Sequence, residues 1–482
     1  MLHFFKMRSF LILTAGVLPF LVLPVSARTA AAPSGLQSAW MQPGLSAAHT
    51  GIQVFSLKTG KSILAHNAEI PLMPASNMKL VTSAAALSLL KPEFRFKTLV
   101  YTNGRVQGNT LNGDLYLKGL GDPELTDERL SQLASEIRYS GIQKINGKLI
   151  ADDQYFDQVR EGRGWKKTYG ASAYSAQISA LSLNRNTVNV WVRPGQPGQA
   201  AEIALEPPNQ FFEIVNNTRT GGRTRLQIAR TMNGGKNRVT VTGSISPQAR
   251  PEKEAINLEN PALYTGYVFK HQLQKAGIVF TGSVTQGKTP SGVYELGRTE
   301  SRPLRDIVGE LNKHSINLIA ENLLKYMGAL FEGEPGSSAK GAKVVQEKFL
   351  QEMVGLGPKN GISMADGSGL SPLNRVTADS LAKILMYMQG QFDVGVDYIS
   401  SLAISGVDGT LHTRLNSPGL KRRIRAKTGF INGVSSLSGY LQTKNNETLV
   451  FSFLMNHFTG VYAARASQDN LCARLVNWSS TP

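Results

Sequence analysis

One apolar helix constrains the fold of this chain more than any other stretch. Residues 81–87 are Val-Thr-Ser-Ala-Ala-Ala-Leu, so Ala and Leu occupy most faces of the predicted helix until Pro92 closes it. A helix that is apolar on most faces is normally buried in a core. Ser76 falls at or near its first turn, and Lys79 follows three residues later on the same helix face. The sequence therefore predicts a core helix whose beginning presents a serine and a lysine side by side.

This pair is suited to acyl transfer without a histidine. A serine hydroxyl is a weak nucleophile until a base removes its proton, and a lysine can be that base only when burial or a nearby positive charge keeps it neutral. The first amides of a helix can also stabilise an oxyanion. The same Ser-x-x-Lys spacing occurs at three other places: Ser88/Lys91, Ser337/Lys340 and Ser380/Lys383. Of the four serines, only Ser76 is expected to begin a buried helix.

The first residues have the pattern of an export signal. Lys6 and Arg8 precede an apolar run over residues 10–25, and Val25-Ser26-Ala27 fits the small-residue rule for a cleavage site. We therefore interpret residues 1–27 as a secretory signal peptide. Two prolines and the shortness of the run argue against an uncleaved membrane anchor. The mature protein is expected to be exported to the periplasm or cell envelope.

Net charge and cysteine content limit the kinds of partner and of covalent crosslink that the chain can have. The formal net charge is +18, and loss of Lys6 and Arg8 with the signal peptide leaves +16. Such a balance favours an anionic neighbour, either a cell-wall polymer or a membrane surface, while export and the lack of a suitable motif argue against nucleic acid. Cys472 is the only cysteine, so no internal disulfide forms. No histidine pair has metal-ligand spacing, and neither a metal site nor a cofactor is expected.

A long β-rich block divides the chain. Short strand-like runs separated by Asn-Gly turns recur over roughly residues 91–290. Helical periodicity returns after Pro303, and strand-like runs at both chain ends are expected to build one sheet with helices beside it. The 482 residues are too many for one ordinary core. The predicted fold class is therefore α+β, with the β-rich block as an insertion.

Two further motifs follow the insertion. Ser315-Ile316-Asn317 lies between two predicted helices, and Lys427-Thr428-Gly429 lies in a predicted strand. Ser-x-x-Lys, Ser-Asp-Asn and Lys-Thr-Gly occur in this order in class A β-lactamases and penicillin-binding proteins. Each motif alone is weak, because Ser182-Leu183-Asn184 and Lys58-Thr59-Gly60 also match; we interpret the latter as a hairpin turn. The order of the motifs and their local context carry the signal.

Together these motifs resemble the class C low-molecular-mass penicillin-binding proteins, the D-alanyl-D-alanine carboxypeptidase/endopeptidases of the penicillin-binding protein 4 type, peptidase family S13. The resemblance covers nearly the whole mature chain and includes four further segments: Gly121-Asp122-Pro123 and residues 366–371, 406–411 and 433–440. It implies a serine β-lactamase/transpeptidase-like domain, with an antiparallel sheet flanked by helices, and two inserted domains. The predicted division is 28–90 with 291–482 for the catalytic domain, 91–160 with 255–290 for the first inserted domain, and 161–254 for the second.

The resemblance also implies an activity. Such an enzyme cleaves the peptide bond after D-alanine in peptidoglycan stem peptides and crosslinks through an acyl-enzyme, and β-lactam antibiotics acylate the same serine. On this basis Ser76 is the nucleophile and Lys79 accepts its proton, kept neutral partly by repulsion from Lys427. Ser315 relays the proton to the leaving amine, and Asn317 hydrogen-bonds Lys79 or the substrate amide.

The Lys-Thr-Gly strand is implied to bind substrate. Lys427 and Thr428 would hold the terminal carboxylate, and Gly429 lets the strand approach the ligand without a Cβ. The amide of Phe430 would complete an oxyanion hole with that of Ser76. Phe430 and Ile316 each depart from the residue commonest in the family at their position, but the amide of Phe430 is still available.

A third departure concerns specificity. Lys166 and Lys167 follow Trp165 where relatives often carry an acid that is thought to bind a free amine on the peptide side chain, which puts a preference for diaminopimelate-type stems in doubt. Two carboxyl groups are given structural interpretations: Glu321 as a surface residue of its helix and Asp366 as a turn-maker.

Two alternatives stay open. One is a β-lactamase or serine esterase of the same fold, although the insertion and the lack of a clear deacylating glutamate motif argue against a β-lactamase. The other is a cell-wall binding protein with a decayed site, although the motif residues are intact. An α/β-hydrolase is disfavoured because the chain has no Gly-x-Ser-x-Gly elbow.

Overall fold

A computed structural model describes residue 36 and residues 39–479, so the predicted signal peptide lies outside the described residues. The strands are β1 (Thr50–Ser56), β2 (Ser62–His66), β3 (Lys97–Thr102), β4 (Arg105–Gln107), β5 (Thr110–Asn112), β6 (Leu115–Gly119), β7 (Lys144–Asn146), β8 (Leu149–Asp152), β9 (Thr187–Arg193), β10 (Glu202–Glu206), β11 (Phe212–Thr220), β12 (Arg225–Asn233), β13 (Lys236–Ile245), β14 (Glu252–Asn257), β15 (Val279–Phe280), β16 (Val284–Gln286), β17 (Tyr294–Glu300), β18 (Ala403–Ile404), β19 (Ile424–Ile431), β20 (Val434–Gln442) and β21 (Thr448–Asn456). The α-helices are α1 (Met78–Leu90), α2 (Asp127–Tyr139), α3 (Pro261–Lys275), α4 (Leu304–His314), α5 (Asn317–Glu332), α6 (Ser338–Val344), α7 (Ala378–Gly390), α8 (Gly395–Ser401) and α9 (Val461–Val476), and a π-helix, Val345–Met353, continues from α6.

The largest sheet is built from both ends of the chain. Its six strands are antiparallel, in the order β18-β19-β20-β21-β1-β2, so β1 lies between β21 and β2. Along β21, Val450 and Leu454 join the core under α1 and α7, whereas Phe451 and Phe453 join the core under α9. This period-two alternation lets one sheet bury both faces under helices. The predicted α+β architecture is confirmed.

Helix α1 is the predicted core helix. Eleven of its 13 residues, from Met78 to Ser88, are buried. Complete burial of a large side chain such as Leu80 or Leu87 contributes about 1.5–3 kcal/mol. A 3₁₀ turn, Ala75–Asn77, leads into α1 and carries Ser76. The start of α1 is therefore held firmly by a core.

The inserted residues form four smaller sheets. A five-stranded sheet has the order β16-β8-β6-β3-β17, and a four-stranded sheet has the order β15-β7-β5-β4. Two three-stranded sheets, β10-β9-β14 and β11-β13-β12, pack around a separate core that includes Val190 and Val241. Strand β17 pairs antiparallel with β3, so the five-stranded sheet continues to Glu300, ten residues beyond the predicted boundary at 290. The domain boundaries themselves stay predictions.

The described residues also bear on membrane and metal binding. Over residues 39–479, no helix combines the length and apolar character needed to span a bilayer. Within the same range, no three His, Cys, Asp or Glu side chains are grouped so that they could hold a metal ion.

Candidate active site

Ser76 and Lys79 meet at the start of α1. Nζ of Lys79 donates a hydrogen bond to Oγ of Ser76 at 3.0 Å. The 3₁₀ turn places Ser76 half-buried at the surface of the core, while Lys79 on the first turn of α1 is fully buried. The three-residue spacing thus produces the predicted contact between hydroxyl and amine.

Lys79 has two further acceptors. It donates to Oδ1 of Asn317 at 2.6 Å and to the carbonyl oxygen of Ser368 at 2.6 Å. Asn317 begins α5 and donates through Nδ2 to the carbonyl of Tyr174, which lies in the inserted residues. These bonds fix the amine beside Ser76, and they join α1, α5 and the insertion at one point.

Burial gives Lys79 the charge state that a base needs. Removal from water lowers the pKa of Lys79 to about 7, against the opposing charges of Asp366 and Glu321. The sequence prediction assigned part of this effect to Lys427. In the structure burial is the main cause, and the charge of Lys79 also helps to lower the pKa of Lys427. A substantial fraction of Lys79 is therefore neutral near neutral pH.

Ser315 and Lys427 form a second pair. Ser315 joins α4 to α5 in a left-handed conformation, with φ of 60°. Nζ of Lys427, on β19, donates to Oγ of Ser315 at 2.9 Å and to the carbonyl of Thr428 at 2.8 Å. Burial, followed by the charge of Lys79, holds the pKa of Lys427 well below its usual range. The second and third motifs are thus in direct contact.

Strand β19 passes close to the start of α1. A Cβ added to Gly429 would lie 2.1 Å from Oγ of Ser436 and 3.0 Å from the backbone nitrogen of Ser76. Oγ1 of Thr428 donates to Oγ1 of Thr410 at 2.8 Å. The side chain of Phe430 is half-exposed and lies over the guanidinium of Arg465. Only glycine at 429 permits this approach of strand to helix.

A cavity of about 430 Å³ opens over these groups. Ser76, Ser315, Asn317 and Phe430 line it from the large sheet and its helices. The remaining lining residues are Lys166, Tyr169 and Tyr174 from the insertion, together with Leu370, Pro372, Ile431 and Asn432. Lys79 and Lys427 lie buried beneath it. The predicted site residues are therefore brought together, whereas the competing motifs have other partners: Lys58 lies in an exposed turn and Asn184 bonds Asp127.

Two carboxyl groups near the site were assigned lesser roles by the sequence. Glu321 is fully buried rather than on the surface, and it accepts hydrogen bonds from the amides of Gly367 and Ser368. Asp366 does more than make a turn, since it accepts from Nε1 of Trp165 at 2.9 Å and from the amide of Ser371. The sequence did contain one indication that Glu321 is buried, since this charged residue lies within the mostly apolar segment 318–324.

The chain belongs to the D-Ala-D-Ala carboxypeptidase 3 (S13) family, whose model matches residues 33–478. It is 34% identical over 455 residues to a D-alanyl-D-alanine carboxypeptidase of Actinomadura sp. (strain R39), a match covering 91% of this chain and 83% of that relative. It is 28% identical over 418 residues to the D-alanyl-D-alanine carboxypeptidase DacB of Haemophilus influenzae, covering 86% of each.

Two solved structures have the same fold as this chain. Penicillin binding protein 4 (dacB) from Haemophilus influenzae superposes with a TM-score of 0.80 at 26% identity, covering 92% of this chain and 99% of that one. A complex of that protein with a β-lactam superposes with a TM-score of 0.74. The family and the transpeptidase-like fold predicted from the motif order are confirmed.

Proposed function

We propose that this chain is a serine D-alanyl-D-alanine carboxypeptidase and DD-endopeptidase that acts on peptidoglycan stem peptides and crosslinks. The observation that carries the proposal is the hydrogen bond of 3.0 Å between the buried amine of Lys79 and Oγ of Ser76. Membership of the S13 family and the β-lactam complex of a structural relative support the same chemistry.

Acylation uses the two lysines differently. Neutral Lys79 takes the proton of Ser76 as Oγ attacks the carbonyl carbon of the D-alanine residue. The C–N bond then breaks as Ser315 gives its proton to the leaving amine and takes a replacement from Lys427, to which it is hydrogen-bonded. Water later cleaves the ester between Ser76 and the peptide. The proton lost by the water returns to Lys427 through Ser315, and Lys79 returns its proton to Oγ of Ser76. No cofactor or metal is required in this scheme.

The substrate is held by β19. Lys427 and Thr428 bind the carboxylate that ends the peptide, or the equivalent carboxylate of a β-lactam. An anion beside the buried amine favours its protonated form, and a charged donor together with a hydroxyl binds a carboxylate strongly. The amides of Ser76 and Phe430 stabilise the oxyanion of the tetrahedral intermediate. Gly429 supports this arrangement, since a side chain there would displace the strand from Ser76.

Covalent labelling tests the nucleophile. Wild-type protein incubated with benzylpenicillin is expected to gain the mass of one drug molecule, whereas Ser76→Ala is expected to gain none. Ser337→Ala is the matched control, because Ser337 also begins a helix and precedes a lysine by three residues, yet it lies in a different part of the fold. It should label like wild type. Labelling of Ser76→Ala, or an unlabelled wild type, would overturn the proposal.

Digestion products identify the reaction. Mass spectrometry of peptidoglycan fragments should show loss of terminal D-alanine and cleavage of crosslinks. Slow release of benzylpenicillin favours the peptidase over the alternative β-lactamase, which would hydrolyse it rapidly. A binding protein with a decayed site would neither label nor change the fragments.

We also propose that the mature protein works outside the cytoplasm, against an anionic cell-wall polymer or membrane surface. The signal-like residues 1–27 and the mature charge of +16 support this placement. Fractionation of cells should place the protein in the envelope, with part of it released by raised salt. Cytoplasmic protein with an intact N-terminus would contradict the prediction.

A further inference from the structure

A buried carboxylate lies directly behind the catalytic lysine. Glu321 is on α5, one turn after Asn317, and its side chain is fully buried. Its Oε1 accepts from the amide of Ser368 at 2.9 Å, and its Oε2 accepts from the amide of Gly367 at 3.1 Å. Within residues 39–479 it forms no ion pair. The mechanism proposed above does not use it.

The loop bonded by Glu321 touches Lys79. The carbonyl of Ser368 accepts from Nζ of Lys79 at 2.6 Å, and the carbonyl of Gly367 accepts from Oγ1 of Thr82 at 2.7 Å. Asp366 fixes the rest of the loop by accepting from the amides of Gly369 and Ser371. The peptide group between Gly367 and Ser368 thus bonds Glu321 through its N–H and Thr82 through its carbonyl, and the next carbonyl along the loop, that of Ser368, bonds Lys79. A displacement of Glu321 would therefore move the loop and, with it, the carbonyl that accepts from Nζ of Lys79.

Three charged groups face Glu321. Lys79 lies on α1, Asp366 lies on the loop, and Lys325 lies one turn further along α5, where it is paired with Asp157 at 2.5 Å. Arg160, beyond Lys325, also acts on that lysine. Glu321 therefore faces two lysines, one of which is already paired, and one other carboxylate.

Glu321 and Lys79 titrate in the same range. Burial, followed by the charge of Asp366, raises the pKa of Glu321 to about 7 despite the amide donors. The pKa of Lys79 is also about 7, and an ionised Glu321 raises it. Because each group favours the charged form of the other, protonation of the two is linked.

We propose that Glu321 is a positioning residue for acylation: its carboxylate holds the loop 366–371 against Lys79, and its charge helps to set the pH at which Lys79 can accept the proton of Ser76. This inference rests on the proposed function of Ser76 and Lys79. It adds a group that acts through Lys79 and touches neither substrate nor nucleophile.

The pH profile of acylation separates this role from a purely structural one. The second-order rate of labelling by benzylpenicillin is measured from pH 5 to pH 9 by intact mass, for wild type and Glu321→Gln. Wild type should show an acidic limb with a midpoint near 7. In Glu321→Gln the midpoint should move toward acid by about half a unit or more, since loss of the negative charge lowers the pKa of Lys79. The plateau rate should fall as well, because the loop is held less well.

Two controls isolate the charge. Thr82→Val loosens the same loop without changing charge, so its plateau should fall while its midpoint stays at the wild-type pH. Glu332→Gln removes a partly buried carboxylate that pairs with Lys343 at the far end of α5, away from Lys79, and should match wild type throughout. An unshifted midpoint in Glu321→Gln, or an equal shift in Thr82→Val, would overturn the inference.

Folding and function are checked separately. Circular dichroism establishes that each variant is folded, and if Glu321→Gln is not, Glu321→Asp takes its place. The aspartate keeps the charge and shortens the reach to the loop, so the inference requires a lower plateau with the wild-type midpoint; a shift toward acid would contradict it. If wild type is not labelled at any pH, the proposed function fails instead.

Discussion

The amine of Lys427 donates a hydrogen bond to Oγ of Ser315 at 2.9 Å, although the two residues are 112 positions apart in the chain. The bond joins β19 to the junction of α4 and α5, where Ser315 has a left-handed backbone. The group assigned to bind the substrate carboxylate therefore also orients the group assigned to relay the proton. Under these assignments, the contact couples substrate binding to protonation of the leaving amine.

Lys427→Ala should lower the second-order rate of acylation by benzylpenicillin about 100-fold, the scale seen when one strong donor to an anion is removed from an active site. Both the carboxylate contact and the orientation of Ser315 are lost. Lys58→Ala is the control, because Lys58 begins the other Lys-Thr-Gly triplet and lies exposed in the turn after β1. Stopped-flow or quenched mass measurements give the rates. Equal rates for the two variants would contradict the assignment of Lys427.

Gly429→Ala should impair acylation while leaving the fold intact. The new Cβ would lie 2.1 Å from Oγ of Ser436, so β19 or its neighbour must shift, at a cost of about 1–3 kcal/mol in the free energy of unfolding. A displacement of this kind next to Ser76 can lower the rate about 100-fold. Gly309→Ala on α4 has nothing within 4 Å of its Cβ and should label normally. Thermal unfolding and labelling are measured together; normal labelling of Gly429→Ala would show that the close approach is dispensable.

Short-range patterns predicted much of this structure. The apolar residues of α1 and the apolar run of β21 are local patterns, which the sequence displays directly. The order of three motifs was enough to predict which residues meet at Ser76. These features were predictable because each depends on neighbours in the chain or on a pattern shared with known proteins.

Tertiary features were not predictable in the same way. Glu321 has a helical position typical of a surface residue, and only the loop 366–371 folding over it provides the amide donors that make its burial tolerable. The pairing of β17 with β3 joins segments nearly 200 residues apart, which no local pattern in the sequence indicates. The lowering of the pKa of Lys79 by burial also depends on tertiary packing.

Lys79→Met should stabilise the protein at low pH. The pKa of Lys79 is lowered from 10.5 to about 7, so the unfolded chain binds more protons than the folded one between these values, and the stability of wild type rises with pH across this window. The cost of the buried charge is fully present below pH 7. Between pH 6 and pH 9 wild type should gain about 3 kcal/mol relative to Lys79→Met. Denaturant titrations of both proteins at the two pH values measure their free energies of unfolding. If the difference between wild type and Lys79→Met were the same at both pH values, the pKa of Lys79 would not be lowered.

Lys166 places a positive charge on the wall of the cavity that contains Ser76. It comes from the insertion with Tyr169 and Tyr174, its side chain is exposed, and none of the residues lining the cavity is an aspartate or glutamate. Lys167 is adjacent in sequence but does not line the cavity. A cation at this position repels an amine on the bound peptide and attracts a carboxylate.

Wild type should therefore cleave a stem peptide with a side-chain carboxylate before the D-alanine pair at a lower KM than a matched peptide with an amine there. Lys166→Asp should reverse this order by about 5-fold, the upper scale of a solvent-exposed charge pair. Lys167→Asp changes the net charge equally without altering the cavity wall, so it should keep the wild-type order. Steady-state kinetics on the two peptides, with the rate of benzylpenicillin acylation as a measure of intact chemistry, distinguish the outcomes. If both variants behave alike, the total charge of the protein governs KM, and the position of Lys166 does not.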